Sequence, residues 1–475
     1  MFRSPAPLWV AVAAVAVFLL LLWNLDGAGL LGPDEPRYAS IGRDMARSGD
    51  WITPRLWGEP WFEKPPLLYW MTAAGFTLGL GPEAAPRLPV ALLSAGFLAV
   101  FFIVLRREFG ARAAAYATAA LGTSAAWIAY SRVAVTDLPL AATFSAFLLL
   151  CVPWIARGEK RQLPVAGAML GLAVLAKGLV PLVLALPLIW FARKRWRDAV
   201  IPALVGIAVA APWYVLVTLR HGRAFINEFF LEHHFGRFAT EALRHEQPFW
   251  FYLPVLLAGL FPWIAAAPLA VRTRGDVRRR VLLAVVFFGF VFFSASRNKL
   301  PGYLLPLVPA AAALIGISLA ELRRPRWVLA ACAATLGILP LIATILPAAL
   351  ERGITHAPLA GAAWAAAIPA LALAAAIALT GKRDAAVAGI VAGMAVGVVW
   401  TASQVFPALD RTVSARAFWN EAASKRALTC VGQTHRSWRY NLNYYSGTPL
   451  PACEEAARPF RIEQSTRQGP RVVEN

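Results

Sequence analysis

The chain has 475 residues, of which 59% are hydrophobic and only 15% charged, and its mean hydropathy is +0.58. A soluble protein of this length would carry far more charge, so this composition excludes the ordinary soluble globular classes. The formal net charge is +20. Nucleic acid is excluded as a partner, because the Lys and Arg residues form short clusters between apolar runs, which is typical of membrane topology signals.

The first element is an apolar run that follows Arg3 and extends from Leu8 to Trp23. It is long for the core of a secretory signal, and many further apolar runs follow it. We therefore expect a retained first transmembrane helix, not a cleaved signal.

Apolar runs of this kind predict an all-α polytopic protein with about thirteen transmembrane helices. The runs are 7–25, 86–105, 112–130, 138–156, 163–177, 178–192, 199–219, 249–271, 281–296, 302–320, 327–348, 358–380 and 385–405. Basic clusters such as Arg106-Arg107 and Lys382-Arg383 follow every second run. Because Lys and Arg concentrate on the cytoplasmic side, this pattern predicts a cytoplasmic N-terminus and an external C-terminus.

Residues 65–80 are also apolar, but a crossing there would move every later basic cluster to the outside. We therefore expect them to form a helix lying at the outer interface. The resulting organisation is a transmembrane domain, 1–405, followed by an external domain, 406–475. The outer loops of the first domain are 26–85, 131–137, 220–248 and 297–301.

The external domain is predicted to be a small α/β unit, with a strand near 427–431 and a helical aromatic stretch at 438–445. Cys430 and Cys453 lie in it, and an oxidising compartment favours a disulfide between them. The other two cysteines, Cys151 and Cys332, lie in apolar runs, where a free thiol behaves as a small hydrophobic group.

The first outer loop begins with Asp34, Glu35, Arg37 and Tyr38. Adjacent carboxylates at a membrane surface are costly unless they pair with cations or take part in binding or catalysis. Asp34 has the chemistry of a general base that accepts a proton from an acceptor hydroxyl. Arg37 could pair with these acids or hold an anion. The alternative is a helix cap with a surface ion pair.

Lys64 and Tyr69 lie where the predicted interfacial helix begins, at the depth of lipid headgroups. A cation beside a helix N-terminus makes an anion site, and a lipid phosphate is the natural anion at that depth. The alternative is a lysine whose stem is buried while its amine reaches water.

The second outer loop carries Arg132 and Asp137. Asp137 lies where a helix begins, so it is either an N-cap or a second carboxylate facing Asp34, able to stabilise an oxocarbenium-like sugar. Lys177 interrupts apolar sequence on both sides, which is expensive inside a membrane and indicates a phosphate or carboxylate partner.

The later loops add two histidines and further cations, and the histidines could bind a metal ion together with Glu63 of the first loop. Glu63, His233 and His234 could together ligate a divalent ion, although the spacing does not match the HExxH pattern. Arg237 stands among aromatic residues that suit sugar stacking. Lys299 and Tyr303, in and just after the last outer loop, are the final candidates for binding the substrate or its phosphate. Acids and cations gathered on one membrane face are what a sugar linked to a lipid phosphate requires, since Arg and Lys neutralise the leaving phosphate without a metal.

Six motifs occur in order over residues 1–320, and together they resemble a known family. They are GPDEPRYA, FEKPPLLYW, SRVAVTDLPL, LAKG, EHHFGRF followed by QPFWFYLPVLLAGLFPW, and SRNKLPGYLLP. This set resembles the bacterial C-type glycosyltransferases, in particular the lipid A aminoarabinose transferases, which are related to the protein O-mannosyltransferases.

The resemblance implies an enzyme in the bacterial inner membrane with an undecaprenyl-phosphate-linked sugar donor, a periplasmic active site and no required cofactor. Asp34 and Asp137 resemble the family's essential acids, and Arg37, Lys64 and Lys177 its phosphate-side residues. The external domain matches poorly, so the acceptor stays open between lipid A, another glycolipid and a protein hydroxyl. A flippase for lipid-linked sugars and a non-catalytic assembly protein remain alternatives from other classes.

Overall fold

The computed structural model describes residues 15–229, 247–352, 364–456, 458–464 and 470–474, and they are mostly helical. The α-helices are α1 Asp34–Ser48, α2 Leu67–Thr77, α3 Ala84–Phe109, α4 Ala111–Gly122, α5 Ala125–Ser131, α6 Asp137–Arg157, α7 Leu163–Lys177, α8 Val180–Leu184, α9 Leu186–Ala192, α10 Val200–His221, α11 Arg223–Ile226, α12 Tyr252–Gly259, α13 Val277–Ala295, α14 Val308–Glu321, α15 Arg326–Thr335, α16 Leu339–Arg352, α17 Ile368–Thr380, α18 Arg383–Thr412, α19 Arg416–Ala422 and α20 Arg436–Ser446. A π-helical turn at Phe18–Leu22 and 3₁₀ segments at Arg193–Ala199, Trp263–Val271, Pro301–Leu307, Leu336–Ile338, Trp364–Ala367 and Ala423–Leu428 complete the helical elements. The strands are β1 Arg55–Leu56, β2 Glu59–Pro60, β3 Thr429–Val431, β4 Phe460–Gln464 and β5 Pro470–Glu474.

Within the described part of the chain, six helical stretches are long and apolar enough to cross a membrane, which makes this a multi-pass membrane protein. Tyr252–Gly259 and Trp263–Val271, bent by 115° at their junction, add a seventh if they count as one span.

The described part of the chain has fewer long apolar helices than the thirteen apolar runs predict, because several of these runs are broken or joined. Val180–His221 forms one apolar stretch of 42 residues. At about 1.5 Å per residue it is roughly twice as long as the bilayer core is thick, so it has the length for two crossings. Arg195, with φ −126° and ψ 25°, breaks it near its middle. Helix α7 is apolar, but with 15 residues it is too short to count among the six.

Helix α6 is the centre of the helical bundle, and almost all of its side chains are buried. Its two ends carry different chemistry. Asp137 begins it, while Arg157 ends it and forms a bidentate pair with the buried Glu108 at the end of α3. Arg278, at the start of α13, also contacts Glu108. Three neighbouring helices are thereby joined by charges at the end of the bundle opposite Asp137.

Helices α7 and α10 pack with their backbones in close approach. A Cβ added to Gly167 would lie 2.6 Å from the carbonyl oxygen of Pro202, and one added to Gly171 would lie 2.7 Å from that of Gly206. Small residues four apart let membrane helices approach in this way. This packing fixes Lys177, the last residue of α7, relative to α10.

The C-terminal unit contains a three-stranded sheet in the order β3-β4-β5, with β3 parallel to β4 and β4 antiparallel to β5. Its strand at Thr429–Val431 and helix α20 lie where the sequence predicts a strand and an aromatic helix. Trp438, Leu442 and Ile462 form its small core. A disulfide joins Cys430 and Cys453 across 23 residues, whereas Cys151 and Cys332 are free and buried.

Replacing both Cys430 and Cys453 with Ser should destabilise the C-terminal unit by about 3 kcal/mol, because the loop they close regains freedom when unfolded. Limited proteolysis of the purified protein, with and without reductant, measures this. The wild type should become cleavable in the C-terminal unit only when reduced, and Cys151→Ser with Cys332→Ser is the control. Equal protease resistance in the double variant and the wild type would contradict the prediction.

Candidate active site

The first cluster of charges is built around Arg37, one turn into α1. Its Nη2 donates to Asp34 Oδ1 at 2.7 Å, and its Nη1 lies 3.2 Å from Glu63 Oε2. Lys64 Nζ lies 3.3 Å from the other oxygen of Glu63. Burial lowers the pKa of Arg37, but the phenol of Tyr38 and the carboxylates of Glu63 and Asp34 outweigh it and raise the pKa above its ordinary value. Arg37 is therefore a permanent cation.

Aromatic rings enclose this guanidinium. Its carbon lies 5.0 Å from the ring centroid of Tyr38, 5.4 Å from that of Trp61 and 5.6 Å from that of Tyr440, in the C-terminal unit. Tyr69 packs against Tyr38 with centroids 5.8 Å apart. Of the described residues, none provides a hydrogen-bond partner for the buried Tyr69 hydroxyl. Such rings exclude water and strengthen the ion pairs beside them.

The segment that follows α1 is tied to the end of α10. Asp50 accepts from Arg220 at 2.7 Å and from the backbone N–H groups of Ile52 and Thr53. Although burial raises the pKa of Asp50, these hydrogen bonds outweigh it and hold the pKa below its usual range. Thr53 Oγ1 lies 2.9 Å from His221 Nε2. These bonds fix the course of the loop that brings Glu63 and Lys64 to Arg37.

Glu35 is fully buried and forms a bidentate pair with Arg87, at 2.7 and 2.8 Å. It also accepts from the backbone N–H groups of Leu31 and Ala134, at 2.8 and 3.0 Å. Arg87 donates in addition to carbonyls in the segment 25–29. The prediction of Glu35 as a catalytic acid is corrected by this geometry, because no substrate reaches a carboxylate with no exposed surface. Glu35 instead joins the two outer loops that carry Asp34 and Asp137.

The second cluster contains Asp137 and Lys177, whose Oδ1 and Nζ are 2.6 Å apart. Asp137 is the first residue of α6 and Thr136 occupies the N-cap position, so the alternative reading of Asp137 as an N-cap is wrong. The Lys177 amine lies 4.8 Å from the ring centroid of Tyr303. Lys177, the cation that interrupts apolar sequence, therefore has a carboxylate partner.

The phenol of Tyr130, at the end of α5, borders the second cluster. A Cβ added to Gly302 would lie 2.7 Å from both Asp137 Oδ1 and the Tyr130 hydroxyl oxygen. The absence of a side chain at Gly302 thus lets these two groups approach each other. The loop of Asp137 is joined to the first cluster through Glu35, which follows Asp34 and accepts from the N–H of Ala134 at 3.0 Å.

Gly302→Ala should therefore displace Asp137 or Tyr130 and lower any activity of this site by about tenfold or more, since small misplacements of reacting groups are costly. Gly96→Ala is the matched control, because nothing lies within 4 Å of its added Cβ. Activity and thermal unfolding of both variants, measured side by side, test this. Wild-type activity in Gly302→Ala would show that the close approach is unimportant.

Two predicted binding cations have structural contacts instead. Arg132 donates to the carbonyl oxygens of Leu20, Trp23 and Asn24, which end the first helical turn. Lys299 donates to the carbonyl oxygens of Ser296 and Gln247. These contacts hold backbone in place, and substrate binding by Arg132 and Lys299 stays a prediction.

The metal prediction cannot be placed on the described residues. His233 and His234 lie outside them, as does Arg237, which was predicted to border a sugar-stacking surface. Glu63, the third predicted ligand, pairs with Arg37 and Lys64. No group of three or more His, Cys, Asp or Glu residues within the described ranges has the arrangement of a metal site.

Three residues of this site are not among those predicted from the sequence: Arg87, Tyr130 and Tyr440. An arginine at the start of an apolar helix is a signal that could have identified Arg87, because an intramembrane charge needs a partner. Nothing in the local sequence distinguishes Tyr130 or Tyr440 from other interfacial aromatic residues.

Comparison with known proteins connects this geometry to a family. The sequence profile of the family described as dolichyl-phosphate-mannose-protein mannosyltransferase matches residues 63–217. The undecaprenyl phosphate-alpha-4-amino-4-deoxy-L-arabinose arabinosyl transferase 2 of Pseudomonas fluorescens is 33% identical over 337 residues, which is 66% of this chain and 60% of that protein. The corresponding transferase of Pseudomonas aeruginosa is 33% identical over 65% of this chain and 59% of its own length. The chain thus matches about 60% of the length of these curated relatives.

Solved structures extend the similarity to nearly the whole chain. ArnT from Cupriavidus metallidurans in the apo state superimposes with a TM-score of 0.77 at 30% identity, covering 94% of this chain and 84% of that one. The same protein bound to undecaprenyl phosphate gives 0.75 at 29% identity, with 94% and 86% covered. The Archaeoglobus fulgidus oligosaccharyltransferase shares the fold at a TM-score of 0.54 and 12% identity. This chain belongs to the glycosyltransferase superfamily of the aminoarabinose transferases and protein mannosyltransferases.

Proposed function

We propose that this protein transfers a pentose or hexose, such as an aminoarabinose, from undecaprenyl phosphate to lipid A or another envelope glycolipid. The observation that carries the proposal is the pair of carboxylates, Asp34 and Asp137, each bonded to a cation and carried by loops that the buried Glu35 joins. Glycosyl transfer needs carboxylates and phosphate-binding cations in one place.

The donor's phosphate would lie against Arg37 and Lys64. Both side chains are largely buried, with 11% and 13% of their surfaces exposed, so their charges act through little water. When the bond between the sugar C1 and the phosphate oxygen breaks, its electrons stay on the phosphate. Two cations next to that oxygen stabilise the developing charge. Glu63 would orient both cations, because it contacts each of them.

Asp34 would be the base and Asp137 the electrostatic partner. Asp34 exposes 46% of its side chain, against 16% for Asp137, whose Oδ1 is engaged by Lys177. The acceptor hydroxyl oxygen would attack C1 from the face opposite the phosphate and give its proton to Asp34, so the configuration inverts. If the acceptor is itself a phosphate, no proton need be removed, and both acids orient and stabilise instead.

The proposed orientation has thirteen crossings, with the N-terminus in the cytoplasm and the active site and C-terminal unit in the periplasm of the inner membrane. Asp137 begins α6 at the site, whereas the Arg157–Glu108–Arg278 cluster lies at the other end. Basic residues concentrate on the cytoplasmic side, which supports an external site. The disulfide between Cys430 and Cys453 supports the same side, because disulfides persist in oxidising compartments.

The donor in this proposal follows from the named relatives, which are undecaprenyl phosphate-alpha-4-amino-4-deoxy-L-arabinose arabinosyl transferases. Lipid A is proposed as the acceptor because the ordered motifs of the sequence resemble those of the lipid A aminoarabinose transferases. Transfer to a protein hydroxyl is the second candidate, favoured by the mannosyltransferase profile over residues 63–217. A flippase is disfavoured, because a transport path needs cations but no carboxylates held at one end.

Reconstitution tests the proposal. The purified protein in liposomes should transfer radiolabelled sugar from undecaprenyl phosphate to lipid A but not to serine- and threonine-containing peptides. Labelled peptide with unlabelled lipid A would instead assign the second candidate. Movement of intact donor across the bilayer without transfer to either acceptor would contradict the proposal.

A further inference from the structure

The tip of the β1–β2 hairpin carries a tryptophan where the backbone disfavours one. Strand pairing joins Leu56 to Glu59, so Trp57 and Gly58 form a two-residue turn. Their φ angles are +58° and +92°. Positive φ at both positions defines a type I′ turn, for which Asn-Gly and Asp-Gly are preferred. A bulky residue in the left-handed region is a true outlier, and such strain is a feature of functional sites.

The Trp57 ring reaches across to the C-terminal unit, where it contacts a ring that borders Arg37. Its centroid lies 5.4 Å from that of Tyr440 in α20, with 33° between the ring planes. Tyr440 in turn lies 5.6 Å from the guanidinium carbon of Arg37. Trp57 remains 38% exposed. The two rings therefore form an aromatic surface that is open on one side and adjoins the group bonded to Asp34.

The helix that carries Tyr440 is bonded to the loop of Asp34. Asn441, the residue after Tyr440, is buried, and its Nδ2 donates to the carbonyl oxygen of Gly32, two residues before Asp34, at 3.1 Å. This bond holds Tyr440 beside the first cluster of charges.

We propose that Trp57 and Tyr440 form the subsite that binds the acceptor's pyranose ring. A pyranose presents an apolar C–H face and a polar edge of hydroxyls, so it fits an aromatic surface that adjoins the ion pair of Arg37 with the 46% exposed Asp34. The subsite would hold the acceptor hydroxyl beside Asp34. The inference rests on the proposed function, and it makes the C-terminal unit a direct part of acceptor recognition.

Trp57→Asn tests this inference without threatening the fold, since Asn suits the type I′ turn and removes only the ring. The variant should be as thermally stable as the wild type or more so. Its dissociation constant for a diphosphorylated glucosamine-disaccharide lipid, measured by calorimetry, should rise about tenfold. Its affinity for undecaprenyl phosphate should not change.

Tyr440→Ala should weaken glycolipid binding to a similar extent, and Tyr440→Phe should recover most of it, because the ring and not the hydroxyl makes the contact. Trp327→Ala, at an exposed indole on α15, is the control and should bind like the wild type. Wild-type glycolipid affinity in both Trp57→Asn and Tyr440→Ala would overturn the subsite, as would an equal loss of undecaprenyl phosphate binding in Trp57→Asn, whose ring does not contact Arg37.

Binding separates this inference from the proposed function. If the wild type transfers no sugar but binds the glycolipid through Trp57 and Tyr440, the proposed reaction fails and the subsite stands. If transfer proceeds and both ring-deleted variants bind the glycolipid normally, the subsite fails and the reaction stands.

Discussion

Asp34→Asn is expected to lower the rate of sugar transfer by about 10²–10⁴-fold, the range that a positioned general base contributes. In the wild type, Arg37 Nη2 donates to Asp34 Oδ1 at 2.7 Å. The amide has nearly the same shape as the carboxylate, and its oxygen can still accept this bond. It cannot take the proton of an acceptor hydroxyl. The fold and the affinity for undecaprenyl phosphate should therefore survive, and the loss should fall on the transfer rate.

The control is Asp26→Asn, which neutralises an exposed carboxylate of the same outer loop. Initial rates at saturating donor and acceptor, with thermal unfolding of each variant, separate a chemical loss from a folding defect. Transfer by Asp34→Asn at a wild-type rate would contradict the assignment of Asp34 as the base.

Glu35→Ala is expected to destabilise the protein by about 3–5 kcal/mol, because it leaves Arg87 charged and buried without its carboxylate partner. The backbone N–H groups of Leu31 and Ala134 would lose their acceptor as well. Removing the charge from both partners, in Glu35→Gln with Arg87→Met, should cost less than Glu35→Ala alone. The two outer loops would still be less well held, so transfer should fall.

Thermal unfolding in detergent measures this effect, with Glu59→Ala as the control at an exposed position in β2. A surface substitution of this kind changes stability by about 0.5 kcal/mol or less. If Glu35→Ala unfolds at the wild-type temperature, the buried pair does not hold the loops as described.

The sequence predicts the helical class and the chemistry of each loop well, because both depend on local composition. The sequence singles out Asp137 by its place at the start of a helix and Lys177 by the apolar sequence on both sides of it. Their direct bond, at 2.6 Å, was not predicted, since it depends on how α6 packs against α7. The helix at 65–80 was also expected, and α2 at Leu67–Thr77 matches it.

Features that depend on burial or on distant contacts could not be read from sequence. Glu35 and Asp34 are adjacent, yet one is fully buried and the other 46% exposed, because the first turn of α1 directs them to opposite sides. The contacts of Arg132 with the carbonyl oxygens of Leu20, Trp23 and Asn24 join segments more than 100 residues apart, which only the fold brings near. The approach of Tyr440 to Arg37 joins residues about 400 positions apart, beyond any local pattern.

Mass spectrometry of lipid A and envelope glycoproteins tests the central claim most directly, namely that acids and cations from separate loops form one sugar-transfer site on the outer face. Lipid A or another envelope glycolipid should carry an added sugar in cells that produce the wild-type protein. That sugar should be absent from cells lacking the protein and from cells producing Asp34→Asn at the same level. Identical glycolipid and glycoprotein spectra from all three kinds of cell would contradict the account.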